Sequence, residues 1–159
     1  MTQGVLRRQD LALPDSEARG ILQRAELGCL ATADTAGVPY AVPVNYAVDG
    51  NKIYIHCAQA GHKLDNIRAN PQVGFTVVGE YQVRPAELSA AYRSVIAFGT
   101  ARLVEDAAEQ RQALRLLMDK YAPGYECASL ENGTFAPRTV IIEMTIATLT
   151  GKRSRLDPQ

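Results

Sequence analysis

The chain has 159 residues, which fits a single domain able to bury a real core. Lysine plus arginine equals aspartate plus glutamate at 17 each, so the overall charge predicts no polyanionic partner and argues against nucleic-acid binding. Only Lys152-Arg153-Ser154-Arg155 is locally basic, and near the chain end it reads as a solvated tail.

After a polar arm over residues 1–10, Asp15 is placed to cap a helix from Ser16 to Glu26, with Ala18, Ile21, Leu22 and Ala25 on one apolar face. Gly28 admits a short strand, Cys29 to Ala33, which Asp34-Thr35-Ala36-Gly37 turns. Two β-rich runs follow, Ala41 to Tyr46 and Ile53 to Cys57, and Asp49-Gly50-Asn51 between them predicts a hairpin. The second run breaks at Gly61 and opens a short helix, Leu64 to Asn70, stopped by Pro71. Val73 to Val78 reads as a strand ended by Gly79. Tyr81 to Ala90 has no clear period and contains Pro85, so a loop is expected. Tyr92 to Val104 is a long strand, with a bulge or bend at Gly99. The strongest helix runs from Ala107 to Tyr121, with Asp106 as cap, Glu109 as box partner, and Leu114, Leu117, Met118 and Tyr121 as the buried stripe. Pro123-Gly124 ends it. The last strand, Val140 to Thr150, sets Val140, Ile142, Met144 and Ile146 opposite Glu143 and Thr145. About six strands with flanking helices predict an α+β, mainly β domain over residues 11–152, an antiparallel sheet closing into a barrel, followed by a tail over 153–159.

His56 and His62 are the only histidines, and both fall in one short stretch. Gly61, His62 and Lys63 stand at a predicted helix start, where free N–H groups, the helix dipole and a lysine suit a phosphate. Polar groups upstream, Asn45 and His56 among them, could then lie beside a ring. A metal site with Cys57 is the rival. His56 and Cys57 are adjacent on a strand and point to opposite faces, and no third ligand is obvious, so no metal is assigned. A third reading has both histidines simply hydrogen-bonded at a barrel rim. The sequence leaves the cofactor and rim readings open.

Other chemistry lacks its fingerprint. There is no GxGxxG or Walker loop, and Ser94 sits mid-strand without a Ser/His/Asp constellation. The carboxylates read mostly as solvated surface. Tyr92-Arg93-Ser94 opens a strand, and Arg93 either packs there or faces an anion. Cys29, Cys57 and Cys127 form no CxxC pair; the first two read as small core residues. The N-terminus has no apolar run behind Arg7-Arg8, and no stretch approaches a membrane span, so a soluble cytoplasmic protein is expected.

Several runs taken together resemble the pyridoxamine 5′-phosphate oxidase-related flavoproteins, especially their 5-nitroimidazole-resistance-like branch. They are Gly37-Val38-Pro39-Tyr40-Ala41-Val42-Pro43-Val44-Asn45-Tyr46, Ile53-Tyr54-Ile55-His56-Cys57-Ala58, Gly61-His62-Lys63-Leu64, Tyr92-Arg93-Ser94-Val95-Ile96-Ala97-Phe98-Gly99 and Leu149-Thr150-Gly151-Lys152. The similarity spans about Leu11 to Lys152. It implies an FMN-binding split β-barrel, a homodimer with FMN at the subunit interface, and a small-molecule substrate. Pro43, Val44, Asn45, Tyr46, His56, Cys57, Gly61, His62 and Lys63 would hold the flavin and its phosphate. Tyr92, Arg93 and Ser94 would approach from the partner subunit or line the adjoining pocket, with Lys152 near the cofactor. The oxidase itself continues with a further strand-bearing segment, whereas this chain stops at Gln159, so oxidation of pyridoxamine phosphate is not expected. The activity implied is FMN-dependent reduction of a small molecule such as a nitroaromatic, with NAD(P)H-derived electrons and His56 or His62 as proton donor. The alternative is a flavin- or haem-binding storage or sensor protein without turnover.

Overall fold

The computed structural model describes residues 5–125 and 139–156. In chain order these residues form α1 (Asp15–Arg24), β1 (Gly28–Ala33), β2 (Pro39–Val44), β3 (Ala47–Asp49), β4 (Lys52–Cys57), α2 (His62–Ala69), β5 (Gln72–Arg84), β6 (Ser89–Leu103), α3 (Ala107–Tyr121) and β7 (Val140–Arg153). The strands make one antiparallel sheet in the order β2-β1-β5-β6-β7-β4-β3.

The two strands at the ends of that order are neighbours in sequence. Only Asn45 and Tyr46 separate β2 from β3, and three Cα steps reach at most about 11 Å. The sheet must therefore curl until its edges nearly meet. No backbone ladder joins those edges, so the barrel is split. Alternate residues point inward, among them Leu30, Phe75, Val77, Val95, Ala97, Ile142 and Met144. Ala18, Ile21 and Leu22 of α1 enter this core, as do Leu64 and Ile67 of α2. The two helices close opposite ends. Ala18 and Ile21 abut Gly151 and Gly79, whereas Asn66 of α2 bonds Thr32 and Pro71 O accepts from Ala101 N–H. On the outside, α3 forms a second cluster with Tyr54, Val104 and Ile141 through Ala113 and Leu114.

Several expectations are corrected. The run 41–46 does not pair with 53–57. Asp34 Oδ1 accepts from Ala36 and Val38 N–H, and this tight turn sets β2 against β1. The Asp49-Gly50 turn joins only the three-residue β3 to β4, giving seven strands among the described residues where about six were expected. Gly79 does not end its strand: it is a bulge between Val78 and Glu80 where Ile21 packs close. Residues 81–90 are not a loop, because β5 and β6 stay paired as an arm closed by a 3₁₀ turn, Pro85–Glu87. No apolar period marks that arm because little covers it; Tyr81, Val83 and Leu88 are exposed.

At α1, Pro14 occupies the cap position, and Asp15 lies inside the helix, 2.7 Å from Arg19. In α3, Asp106 caps as expected by accepting from Glu109 N–H at 2.8 Å. The Glu109 carboxylate turns to Arg102 instead of completing the box. Tyr121 is not buried, and Ala113 joins Leu114 and Leu117 as the buried residues. The bulge at Gly99 is present, between Phe98 and Gly99. Cys29 lies half-exposed on the outer sheet face, cross-strand from Pro43 and Thr76; Cys57 is half-buried against the core, and Cys127 lies outside the described residues.

Candidate functional site

Gly61 turns the chain from β4 into α2 at φ +149°, a conformation that L side chains rarely adopt. Gly61 brings no capping side chain, and Leu64 N–H donates to Gly61 O at 2.9 Å, which leaves the N–H groups of His62 and Lys63 for a ligand. Helix α2 begins at His62, two residues earlier than the sequence predicts. The His62 ring stacks on Tyr40 with centroids 4.7 Å apart. A buried polar chain secures that pair: Asn66 donates to Thr32 Oγ1 at 3.0 Å, and Thr32 donates to Tyr40 O at 3.3 Å. Lys63 is half-buried and makes no ion pair among the described residues. It stands close enough to Cys57 to offset part of the upward push that burial exerts on the thiol. Thus Tyr40, Cys57, Gly61, His62 and Lys63 come together. His56 is exposed on β4 and faces away from Cys57.

The Pro43–Tyr46 residues divide. Pro43 is exposed on the outer face, and Val44 packs partly against the core. Asn45 Nδ2 donates to Glu26 O at 3.3 Å. Tyr46 is wholly buried, edge-on to Phe75, with its hydroxyl on Leu22 O; burial raises its pKa above the ordinary phenol range. Its side chain belongs to the core.

Tyr92, Ser94 and Lys152 gather elsewhere. Ser94 and Lys152 are cross-strand partners on the outer face, and Lys152 Nζ lies 5.7 Å from the Tyr92 ring centre. Tyr92 O accepts from Ser154 N–H at 2.9 Å, so the chain beyond β7 is docked on β6. Arg93 points inward, 3.5 Å from Glu17 and 3.3 Å from Glu80. From Tyr40 to Ser94 the ladders count about five residue steps along the strands and three strands across, roughly 16 Å by 14 Å on a flat sheet. The chain therefore carries two separate groups. Between them runs a bare outer face, including Ala31, Thr76, Val78 and Ile96, the last two 58% and 40% exposed.

Sequence reasoning missed two features. Tyr40 has no signal of its own, because its stacking depends on α2 folding back. Glu143 was expected opposite the core face, hence in solvent, but α3 covers it to 3% exposure. Among the described residues no group of three His, Cys, Asp or Glu side chains is placed to hold a metal ion. No helix of the described residues is long and apolar enough to cross a membrane.

The family model described as pyridoxamine 5′-phosphate oxidase matches residues 14–153. An uncharacterized protein of Rhizobium meliloti (strain 1021) is 32% identical over 84 residues, which cover 44% of this chain and 54% of that protein; the match thus spans about half of the relative's length. Among solved structures, a proposed 5-nitroimidazole antibiotic resistance protein from Bacteroides thetaiotaomicron aligns at TM-score 0.76 and 22% identity, over 90% of this chain and 86% of that one. The flavocytochrome Anf3 from Azotobacter vinelandii aligns at 0.73 and 24% identity, over 98% and 74%. A FAD-binding protein from Mesorhizobium loti aligns at 0.67 and 25% identity, over 90% and 96%. These likenesses agree with the split barrel described above.

Proposed function

This chain belongs to the pyridoxamine 5′-phosphate oxidase family, and on that premise we propose that it binds FMN and uses it to reduce a small molecule. The observation that carries the reading is Lys63, a half-buried cation without an ion-pair partner among the described residues, at the uncapped start of α2. A phosphate monoester fits this place: the lysine offers point charge, the helix start offers N–H donors, and Gly61 leaves open space where a side chain would stand. The chain has no GxGxxG loop for an adenosine diphosphate half, which favours FMN over a dinucleotide. The solved FAD-binding relative from Mesorhizobium loti supports a flavin in general.

On one chain the ladders set the two groups of site residues about five residue steps and three strands apart, a spacing that favours one flavin shared between two copies. A second copy docked on the bare outer face would bring its Ser94 and Lys152 toward the first protomer's α2, so a homodimer with the flavin at the interface is the arrangement we favour. When bound, FMN would supply hydride or single electrons to the acceptor. Lys63 and the α2 N–H groups would hold the phosphate. Lys152 Nζ would place positive charge near the cofactor. His62, oriented by Tyr40, could give a proton from a ring nitrogen to reduced substrate, and exposed His56 is the second candidate. A nitroaromatic acceptor and NAD(P)H as donor are the pair we would try first.

The test is an absorbance spectrum of the purified protein before and after NADPH. Bands near 370 and 450 nm, roughly as free flavin shows, support FMN. Bleaching by NADPH and recovery with a nitroaromatic support reduction. A stable yellow protein that never bleaches favours storage or sensing, and a Soret band indicates haem. A colourless protein that ignores added FMN overturns the proposal.

A further inference from the structure

Helix α2 turns a line of polar side chains towards β1 and β2. His62, Asn66 and Asn70 stand four residues apart, so they share roughly one side of the helix. The His62 ring stacks on Tyr40 with centroids 4.7 Å apart. Asn66, 3% exposed, donates from Nδ2 to Thr32 Oγ1 at 3.0 Å, and the Thr32 hydroxyl gives its one proton to Tyr40 O at 3.3 Å. Asn70, just past the last turn, donates from Nδ2 to Ala33 O at 3.3 Å. Leu64 and Ile67 enter the apolar core instead.

Stability alone does not require asparagine at position 66. It is a poorer helix former than leucine and must give up the hydration of its amide on burial. Asn66→Leu together with Thr32→Val would keep nearly the same shapes without polar atoms. What the amide adds is direction. Apolar burial holds α2 against the barrel end with little orientational preference, whereas hydrogen bonds have preferred angles.

We infer that the Asn66–Thr32–Tyr40 chain sets the rotation of α2 about its axis, which makes Thr32 and Asn66 positioning residues for the phosphate grip. The inference rests on the reading of Lys63 and the first N–H groups of α2 as that grip. Asn66 lies one turn after His62 and three residues after Lys63, so a helix turned at Asn66 is turned at both. A rotation of about 20° carries a Cα on its ~2.3 Å cylinder by about 0.8 Å, and the Lys63 ammonium, farther from the axis, by more. That exceeds the ~0.5 Å within which a binding group has to be held.

The test compares the intact unmodified chain with Thr32→Ser and with the double variant Thr32→Val/Asn66→Leu. The double variant removes the Asn66 amide and the Thr32 hydroxyl together, so neither is left facing an absent partner, and Tm should stay within about 2 °C. Its FMN Kd, read by flavin fluorescence well below either Tm, should rise about tenfold. Thr32→Ser keeps both hydrogen bonds and should keep the Kd. In flavin-free protein the nuclear Overhauser contact between the Tyr40 and His62 rings should survive in Thr32→Ser and vanish from the double variant. An unchanged Kd in the double variant overturns the inference, as does a retained ring contact. So does a Kd raised as much by Thr32→Ser, or a Tm lowered by more than about 5 °C, which would make the chain a matter of stability. If the unmodified chain ignores FMN, the flavin reading falls, and the ring contact still decides whether the chain sets the rotation of α2.

Discussion

Glu143 sits on the outer side of β7 beneath α3, and replacing it with glutamine removes a charge on which three neighbours converge. Its carboxylate accepts from Lys52 Nζ at 2.8 Å, from Arg102 Nε and Nη2 at 3.1 and 3.0 Å, and from the Tyr54 hydroxyl at 3.3 Å. Burial alone would push this carboxyl up, but the hydrogen bonds from Lys52 and Arg102 outweigh it and hold the group at about 2, against an ordinary 4.5. That gap is worth on the order of 3 kcal/mol. The Lys52 and Arg102 side chains are 42% and 50% exposed, so solvent screening reduces the expected contribution to about 2 kcal/mol. Glu143→Gln should therefore lower the unfolding free energy at pH 7 by about 2 kcal/mol, and the Tm by ~4–8 °C. The folded carboxyl has the depressed pKa, so its stabilisation is complete above about 4.5 and is lost as pH falls towards 2. Urea unfolding of both proteins at pH 7, 4 and 2.5 should show the gap closing towards acid. Equal stability at pH 7 would refute the reasoning, as would a gap just as wide at pH 2.5.

Other substitutions probe the bulge, the phosphate grip and the α3 cap. A Cβ at Gly99 would lie 1.9 Å from Thr145 O and 2.9 Å from its carbonyl carbon, both backbone atoms of β7. Gly99→Ala must spread that strand pair and should cost about 3 kcal/mol or more in urea unfolding; a near-neutral result would contradict the bulge register. Lys63→Gln breaks no ion pair among the described residues, so Tm should move by only about 1 °C while the FMN Kd, read by flavin fluorescence, rises about 10- to 100-fold. An unchanged Kd would place the phosphate elsewhere. Asp106→Ala removes the acceptor for Glu109 N–H and should cost about 1 kcal/mol, with a loss below 0.3 kcal/mol counting against the cap.

What the sequence determined is what depends on near neighbours. Asp106 three residues before Glu109 marks the start of α3, Gly61 marks the break into α2, and Gly99 marks the bend in β6, because capping and backbone conformation act within a few residues. The ordered motifs from Gly37 to Lys152 point to the family for a related reason: each is a short contiguous run. Periodicity likewise shows that Glu143 and Val140 face opposite ways.

Which face is covered, and by what, belongs to the tertiary structure. Helix α3 lies over one part of the outer sheet face and turns Glu143 inside, while the part bearing Ile96 and Val78 stays bare. The alternation along the strands is similar in both places. The partner of β2 was equally illegible, since two turns compete for it and backbone pairing leaves little trace in side-chain pattern. Most of the candidate site follows the same division. The grouping of Gly61, His62 and Lys63 is written in consecutive residues, whereas Tyr40 on His62, the glutamates around Arg93, and the distance from α2 to Lys152 arise only when the sheet curls and distant strands meet.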